Sequence, residues 1–186
     1  MAIQPADLEL AEIYMGGLRS HLTVVQYLID STELAPELAD IKGWLNSEPL
    51  VLSGLRGRVV FLDFWTYGCV NCVRTIPHVK ELRLKFPSDE LVIIGVHTPE
   101  FEFEKNGENV RRAVKRLGIE YPIALDSDNT TWKLYGNSYW PRQTLVDRSG
   151  EIRYEHIGEG DYSEIEDQVA LLLAETGERG KIQGRG

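Results

Sequence analysis

Residues 59–77 read VVFLDFWTYGCVNCVRTIP, and this stretch decides the fold. It opens with an almost continuous apolar run rich in strand formers, which favours a central strand buried on both faces. After the run, apolar side chains such as Val73 and Ile76 follow a helical spacing. Cys69 and Cys72 lie where the strand gives way to the helix. The stretch therefore predicts a strand–helix unit with a C-x-x-C pair at its junction.

Further elements are predicted on both sides of this unit. Residues 49–53 predict a short strand, and residues 91–96 predict a second buried one. Residues 143–157 predict an antiparallel hairpin, and apolar side chains recur at helical spacing near residues 105–117 and 161–175. Strands that alternate with helices, followed by a hairpin and a helix, predict an α/β fold with a mixed β-sheet flanked by helices.

The N-terminal segment has a pattern of its own. Apolar residues from Leu8 to Ile29 recur every three or four positions, which predicts a helical extension over residues 1–34. Its narrow apolar seam has two interpretations, packing within the same chain or contact with a partner, including a dimer. The α/β domain is predicted at residues 35–176, followed by a flexible tail at residues 177–186.

The amino-acid composition argues against several classes of partner and location. The net charge is −9, which argues against nucleic acid or an anionic membrane surface as the main partner, because both attract basic proteins. The first ten residues contain no Lys or Arg, and no apolar stretch is long enough to span a bilayer. The sequence therefore predicts no leader, no membrane span and a cytoplasmic location.

The cysteine pair carries the predicted chemistry. Free backbone N–H groups and the helix dipole favour a thiolate at Cys69, and a thiolate is the form that attacks disulfides. Cys72 lies one helical turn away, where it can resolve a mixed disulfide within the same molecule. Zinc is a weaker interpretation, since it takes about four ligands and the histidines show no paired spacing. An inert pair is the other alternative; no metal and no cofactor are predicted. The histidines are His21, His78, His97 and His156.

The motifs resemble those of a known superfamily. The segment FLDFWTYGCVNC at residues 61–72, followed by Pro77, resembles the active-site segment of the thioredoxin superfamily. The helix after the second strand resembles its TlpA-like and peroxiredoxin-related branch. Residues 35–46, APELADIKGWLN, are similar to DipZ-type soluble domains and to the thioredoxin-like domain that precedes NHL repeats. The resemblance covers roughly residues 35–175 and implies a thioredoxin-like fold.

The resemblance also implies roles for individual residues. Cys69 matches the attacking cysteine and Cys72 the resolving cysteine. Asp63 matches the buried carboxylate that assists proton transfer at the resolving thiol, with a purely structural carboxylate as the alternative. Pro141 matches the cis-proline beside the disulfide, with a trans turn proline as the alternative.

Substrate contacts are predicted at Trp140, Pro141, Tyr67 and Gly68. Two of these residues differ from those of thioredoxin itself. Thioredoxin has a tryptophan at the position of Gly68 and a smaller residue at the position of Trp140. The spacer Val70-Asn71 also replaces Gly-Pro. These departures favour a dedicated partner over general thioredoxin activity.

The leading function is a thiol–disulfide oxidoreductase that reduces or exchanges disulfides in partner proteins and is recharged by an upstream electron donor. A thiol peroxidase assisted by Thr66 and Arg74 is one alternative. A thioredoxin-fold binding module without turnover, docking through the N-terminal seam, is another.

Overall fold

The computed structural model describes residues 33–175 of the chain. The strands are β1 (Trp44–Leu45), β2 (Val59–Trp65), β3 (Leu91–His97), β4 (Ile123–Leu125), β5 (Arg142–Val146) and β6 (Ile152–Ile157). The helices are α1 (Val70–Lys85), α2 (Gly107–Leu117), α3 (Thr130–Leu134) and α4 (Tyr162–Ala174), with 3-10 turns at Leu52–Leu55 and Glu102–Lys105.

The strands form one mixed sheet in the order β1-β4-β3-β2-β5-β6. Strand β2 lies inside it, parallel to β3 and antiparallel to β5. Strands β5 and β6 form the predicted hairpin. Because β2 has a neighbour on each edge and packing on each face, every one of its residues is buried, as its apolar run predicts.

Alternation along β2 divides the core into two layers. Phe61 and Trp65 pack in a cluster with the buried faces of α1, α2 and α4. Leu62 and Phe64 pack in a second cluster, with α3 and the 52–55 turn. Since successive side chains of a strand point to opposite faces, Asp63 faces the layer that contains Phe61, Trp65 and Cys72.

The predicted thioredoxin-like fold, a mixed sheet with helices on both faces, is confirmed. The strand predicted at residues 49–53 is wrong. Leu52 begins a 3-10 turn there, because the Glu37 carboxylate accepts hydrogen bonds from the amides of Leu52 and Ser53 at 2.8 and 2.7 Å. This cap comes from a residue 15 positions away and leaves no mark on the local pattern.

Three predictions concern residues beyond this range. The first two are the helical extension at residues 1–34 and its dimer seam, which lie outside the described residues except for the last two positions of the extension. The third is the tail at residues 177–186, which lies entirely outside them. Backbone pairing of the domain begins at Leu34, which forms a β-bridge with Glu151. No helix in the range 33–175 combines the length and the apolar character needed to cross a bilayer.

Candidate active site

The two cysteines lie at the start of α1, directly after the loop that leaves β2. Cys69 is the N-cap residue of α1, and its Sγ accepts a hydrogen bond of 3.4 Å from the backbone N–H of Cys72. No S–S bond joins the two thiols in this structure. The contact places the Cys69 sulfur beside a backbone amide of the first helical turn, at the positive end of the helix dipole.

Burial distinguishes the two thiols. Cys69 is half-buried, whereas only 1% of Cys72 is exposed. Burial, the hydrogen bond with Cys69 and the nearby charge of Asp63 raise the pKa of the Cys72 thiol. Cys72 therefore stays protonated until a base accepts its proton, while Cys69 is open to an incoming disulfide.

Asp63 is a titratable carboxyl in the interior of the sheet. Burial raises its pKa from its ordinary value of 3.8 to about 7, against the opposing effect of a hydrogen bond from Gln143. That bond joins Gln143 Nε2 to Asp63 Oδ1 over 3.1 Å. A carboxyl with a pKa near neutrality, on the same face of the sheet as Cys72, is suited to accept and return a proton.

Glu104 is a buried carboxylate that sequence reasoning missed. It belongs to the 102–105 turn, between β3 and α2, and reaches the loop ahead of Cys69. Its oxygens accept hydrogen bonds from the amides of Gly68 (2.8 Å), Glu100 (2.8 Å) and Phe101 (2.9 Å). Burial favours its protonated form, but these bonds and one from the Thr66 hydroxyl outweigh burial and lower its pKa. Glu104 is thus a fixed anion that holds the loop.

Gly68 precedes Cys69, and its backbone amide contacts this carboxylate. A Cβ at this position would lie 2.5 Å from Glu104 Oε1. Glu104 Oε1 cannot move away easily, because four hydrogen bonds hold the carboxylate in place. Gly68 was predicted only as a substrate contact; the close approach of Glu104 gives a separate reason for glycine where thioredoxin has tryptophan.

An aromatic stack supports the same loop. The Tyr67 ring stacks on His97 with centroids 5.5 Å apart, and the Trp65 ring meets His97 edge-on at 5.3 Å. Burial lowers the pKa of His97 to about 4, so the imidazole is neutral at physiological pH. The Nε2 atom of His97 lies at hydrogen-bond distance, 3.3 Å, from Thr66 Oγ1.

Trp140 and Pro141 lie in the loop that enters β5. The peptide bond between them is cis, and Pro141 is buried. Trp140 stacks on Trp132 with centroids 4.0 Å apart, and its Nε1 donates to the carbonyl of Thr98 over 3.1 Å. Trp140, Tyr67 and Cys69 all pack against the core layer that contains Cys72. The structure thus brings the predicted site residues to one end of the sheet.

Two residues of the candidate site were not predicted from the sequence. Glu104 stands in the run Glu100-Phe-Glu-Phe-Glu, where its neighbours are exposed and nothing local marks it as buried. Gln143 was predicted only as part of the hairpin at residues 143–157, and the pairing that places it opposite Asp63 is seen in the structure alone. Among the described residues, no three His, Cys, Asp or Glu side chains converge as they would around a metal ion.

Comparisons with known proteins place these features in context. Residues 31–170 match the family described as redoxin. Protein DipZ of Mycobacterium tuberculosis is 47% identical over 148 residues, which are 78% of this chain and 21% of DipZ. NHL repeat-containing protein 2 of Gallus gallus is 38% identical over 168 residues, 86% of this chain and 23% of that protein. The chain thus spans about a fifth of the length of these relatives, and the predicted resemblance to both groups is confirmed.

Shorter relatives match over most of their own length. Thiol-disulfide oxidoreductase YkuV of Bacillus subtilis is 30% identical over 141 residues, 76% of this chain and 95% of YkuV. The crystal structure of a thiol-disulfide isomerase from Corynebacterium glutamicum superposes with a TM-score of 0.70 at 28% identity, covering 76% of this chain and 98% of that one. Both contain little beyond the domain that this chain shares with them.

Proposed function

We propose that this chain, which belongs to the redoxin family and is a thiol–disulfide oxidoreductase, reduces or exchanges disulfides in partner proteins through Cys69 and Cys72. The observation that supports this most directly is the asymmetry of the pair. Cys69 is accessible and its sulfur lies against a helix N-terminus, whereas Cys72 is buried and lies within one turn of it. One sulfur can meet a partner while the other waits inside.

In the proposed first step, the Cys69 thiolate attacks one sulfur of the partner's disulfide. That S–S bond breaks, a mixed disulfide forms between Cys69 and the partner, and the second partner sulfur leaves as a thiolate that takes up a proton. The half-exposed position of Cys69 gives the partner access to the sulfur.

In the second step, Cys72 resolves the mixed disulfide. Its thiol gives its proton to the Asp63 carboxylate, and the resulting thiolate attacks Cys69 Sγ. The bond to the partner breaks, the partner sulfur that was bound to Cys69 leaves as a thiolate and takes up a proton, and two electrons have passed to the partner. The pKa of Asp63, about 7, supports this role, because both of its protonation states are populated near neutral pH.

The substrate contacts at Tyr67, Gly68, Trp140 and Pro141 remain part of this proposal. Gly68 is exposed, and Tyr67 and Trp140 are partly exposed and pack, like Cys69, against the core layer that contains Cys72. A cytoplasmic location, an upstream dithiol donor and a separate extension at residues 1–34 also belong to the proposal. In a reducing compartment the pair would be returned to the dithiol and would act as a reductase.

The peroxidase alternative gains no support from its two nominated residues. Thr66 is fully buried, with its hydroxyl engaged by Glu104 and His97. The Arg74 guanidinium pairs with Glu159 over 3.3 Å. A peroxide-activating site would need such groups to be free to face the cysteine sulfur.

The proposed function is tested by the redox titration of the full chain. Thiol trapping with mass spectrometry, across a graded redox buffer, is expected to give one reversible two-electron transition. A midpoint near −270 mV indicates a reductase, and one near −120 mV an oxidant of protein thiols, on the scale of about 150 mV that such pairs span. Val70→Ala, in the exposed spacer, is the control that keeps both thiols. If no intramolecular disulfide forms at any potential, the proposal fails and a binding module replaces it.

A further inference from the structure

Two exposed phenylalanines lie beside the loop that precedes Cys69. Phe101 is 49% exposed and Phe103 is 56% exposed. Their rings stack on each other, with centroids 5.6 Å apart and planes only 4° apart. Single exposed apolar side chains are common, but a contiguous aromatic surface marks a contact site.

The pair is continuous with the active-site loop. The Phe103 ring lies 6.1 Å from that of Tyr67, whose hydroxyl donates to the Phe103 carbonyl over 3.1 Å. The Phe101 ring reaches the other end of the loop, since a Cβ on Gly68 would lie 3.9 Å from it. Gly68 is the residue before Cys69, so the rings lie within reach of a partner engaged at Cys69.

The rings stand on a rigid base. Glu104, between them and α2, is tied by the amides of Gly68, Glu100 and Phe101. Asn109 Nδ2 also donates to the Phe103 carbonyl over 3.0 Å. A surface held in place before binding loses less conformational entropy when a partner docks, which increases the affinity that an aromatic contact provides.

Charge restricts the partner further. Glu100 and Glu102 alternate with the phenylalanines and are exposed, and only Lys105 on the same turn offsets them, through its ion pair with Glu102. The chain as a whole carries a charge of −9. A segment that covers the rings therefore meets a negative field, which favours Lys or Arg and disfavours Asp or Glu.

We propose that Phe101 and Phe103 form a docking ridge for partner proteins whose disulfide is flanked by an aromatic or aliphatic side chain and by a Lys or Arg. The apolar side chain packs on the stacked rings, and the cation faces Glu100 and Glu102. The docking ridge rests on the proposed function and names its substrate class: apolar, basic segments around a disulfide.

The test compares two disulfide-cyclised peptides of equal length, one with Phe and Lys beside its cysteines and one with Ser and Glu. With the full chain, kcat/KM is expected to favour the Phe-Lys peptide by about tenfold or more, as contact with a buried aromatic anchor allows. The double variant Phe101→Ser/Phe103→Ser is expected to lose most of this preference. The matched control is Leu84→Ser/Leu171→Ser, which removes two other exposed apolar side chains, on α1 and α4, and is expected to keep it.

The outcomes separate the docking ridge from the proposed function. Failure of the unmodified chain to form the Cys69–Cys72 disulfide at any potential in the redox titration would contradict the proposed function. Binding of the two peptides to the Cys69→Ser/Cys72→Ser chain then still tests the ridge, through the ratio of their Kd values. Equal kcat/KM and equal Kd for the two peptides, or equal loss in the ridge and control variants, would overturn the ridge. So would a dimer that dissociates in the ridge variant, because the occupant would then be a second copy of the chain.

Discussion

Gln143 on β5 donates a hydrogen bond of 3.1 Å from its Nε2 to Oδ1 of Asp63, its cross-strand partner on β2. This bond favours the ionised carboxylate and opposes the effect of burial on its pKa. Replacing Gln143 with Leu is expected to raise the pKa of Asp63 further, by about one unit for the loss of one hydrogen bond to a charged group. The rate at which Cys72 resolves a mixed disulfide should then reach its plateau at a correspondingly higher pH, measured by rapid mixing.

Thr144→Val is the control for this experiment. Thr144 is the next residue on β5, is fully buried, and lies on the opposite face of the sheet from Gln143. Its substitution should leave the pH profile of resolution unchanged. A profile that moves equally in both variants would mean that general loosening of β5, and not the hydrogen bond, controls the reaction.

The stability of the fold is expected to depend on pH through two buried groups with opposite effects. Between pH 3.8 and about 7, folded Asp63 retains a proton that the unfolded chain loses, so the free energy of unfolding falls as pH rises. Between about pH 4 and 6.5, the unfolded chain binds a proton at His97 that the folded chain excludes, so the free energy of unfolding rises with pH. The two effects offset each other in the unmodified chain.

Single substitutions should reveal the two effects. From pH 4 to pH 7.5, the free energy of unfolding of Asp63→Asn should rise by roughly 4 kcal/mol relative to that of the unmodified chain. Over the same range, the free energy of unfolding of His97→Gln should fall by roughly 3 kcal/mol relative to that of the unmodified chain. Urea unfolding at several pH values measures both differences. Parallel curves for Asp63→Asn and the unmodified chain would show that Asp63 titrates in the folded state near its ordinary pKa.

Trapping should identify the attacking thiol. The Cys72→Ser chain keeps the accessible sulfur and lacks the buried one, so partner proteins should accumulate as mixed disulfides through Cys69. Cys69→Ser should trap few partners, because only 1% of the remaining Cys72 is exposed and burial raises its pKa. Non-reducing electrophoresis and mass spectrometry compare the two. Equal trapping by both variants would contradict the assigned roles.

The sequence predicted those elements whose physics is local. The apolar run of β2 is rich in strand formers and suits a central strand that is buried on both faces. The hairpin at residues 143–157 follows from two short strands with a turn between them. The cysteine pair was identified for the same reason, since a strand–helix junction and two nearby thiols suffice to define it.

What the sequence missed depends on contacts between distant residues. Glu37 caps the turn at Leu52, and Glu104 anchors Gly68 from 36 positions away. An acidic residue in a charged segment predicts an exposed side chain, and its burial becomes favourable only when the fold supplies several N–H donors to one carboxylate. The same limit applies to His97, whose neutral state depends on burial that its own neighbours in sequence do not reveal.

The close approach of Glu104 to Gly68 gives the last prediction. Gly68→Ala should place a methyl group 2.5 Å from Glu104 Oε1, shift the loop ahead of Cys69, and lower stability by about 1–3 kcal/mol, as overpacking does. The turnover of protein disulfides should fall as well. Gly107→Ala is the control, because its Cβ would lie at an ordinary 3.5 Å from Leu125. Urea unfolding and kcat/KM compare the two variants.

A double-mutant cycle identifies the cause of the loss. In a Glu104→Ala background the clashing oxygen is gone, so adding Gly68→Ala should cost only a few tenths of a kcal/mol, although Glu104→Ala alone is destabilising through the amides it leaves unpaired. The expected interaction energy is therefore at least about 1 kcal/mol. Additive losses would mean that Gly68 is required for its backbone conformation or for substrate contact, and that Glu104 holds the loop without restricting which residue precedes Cys69.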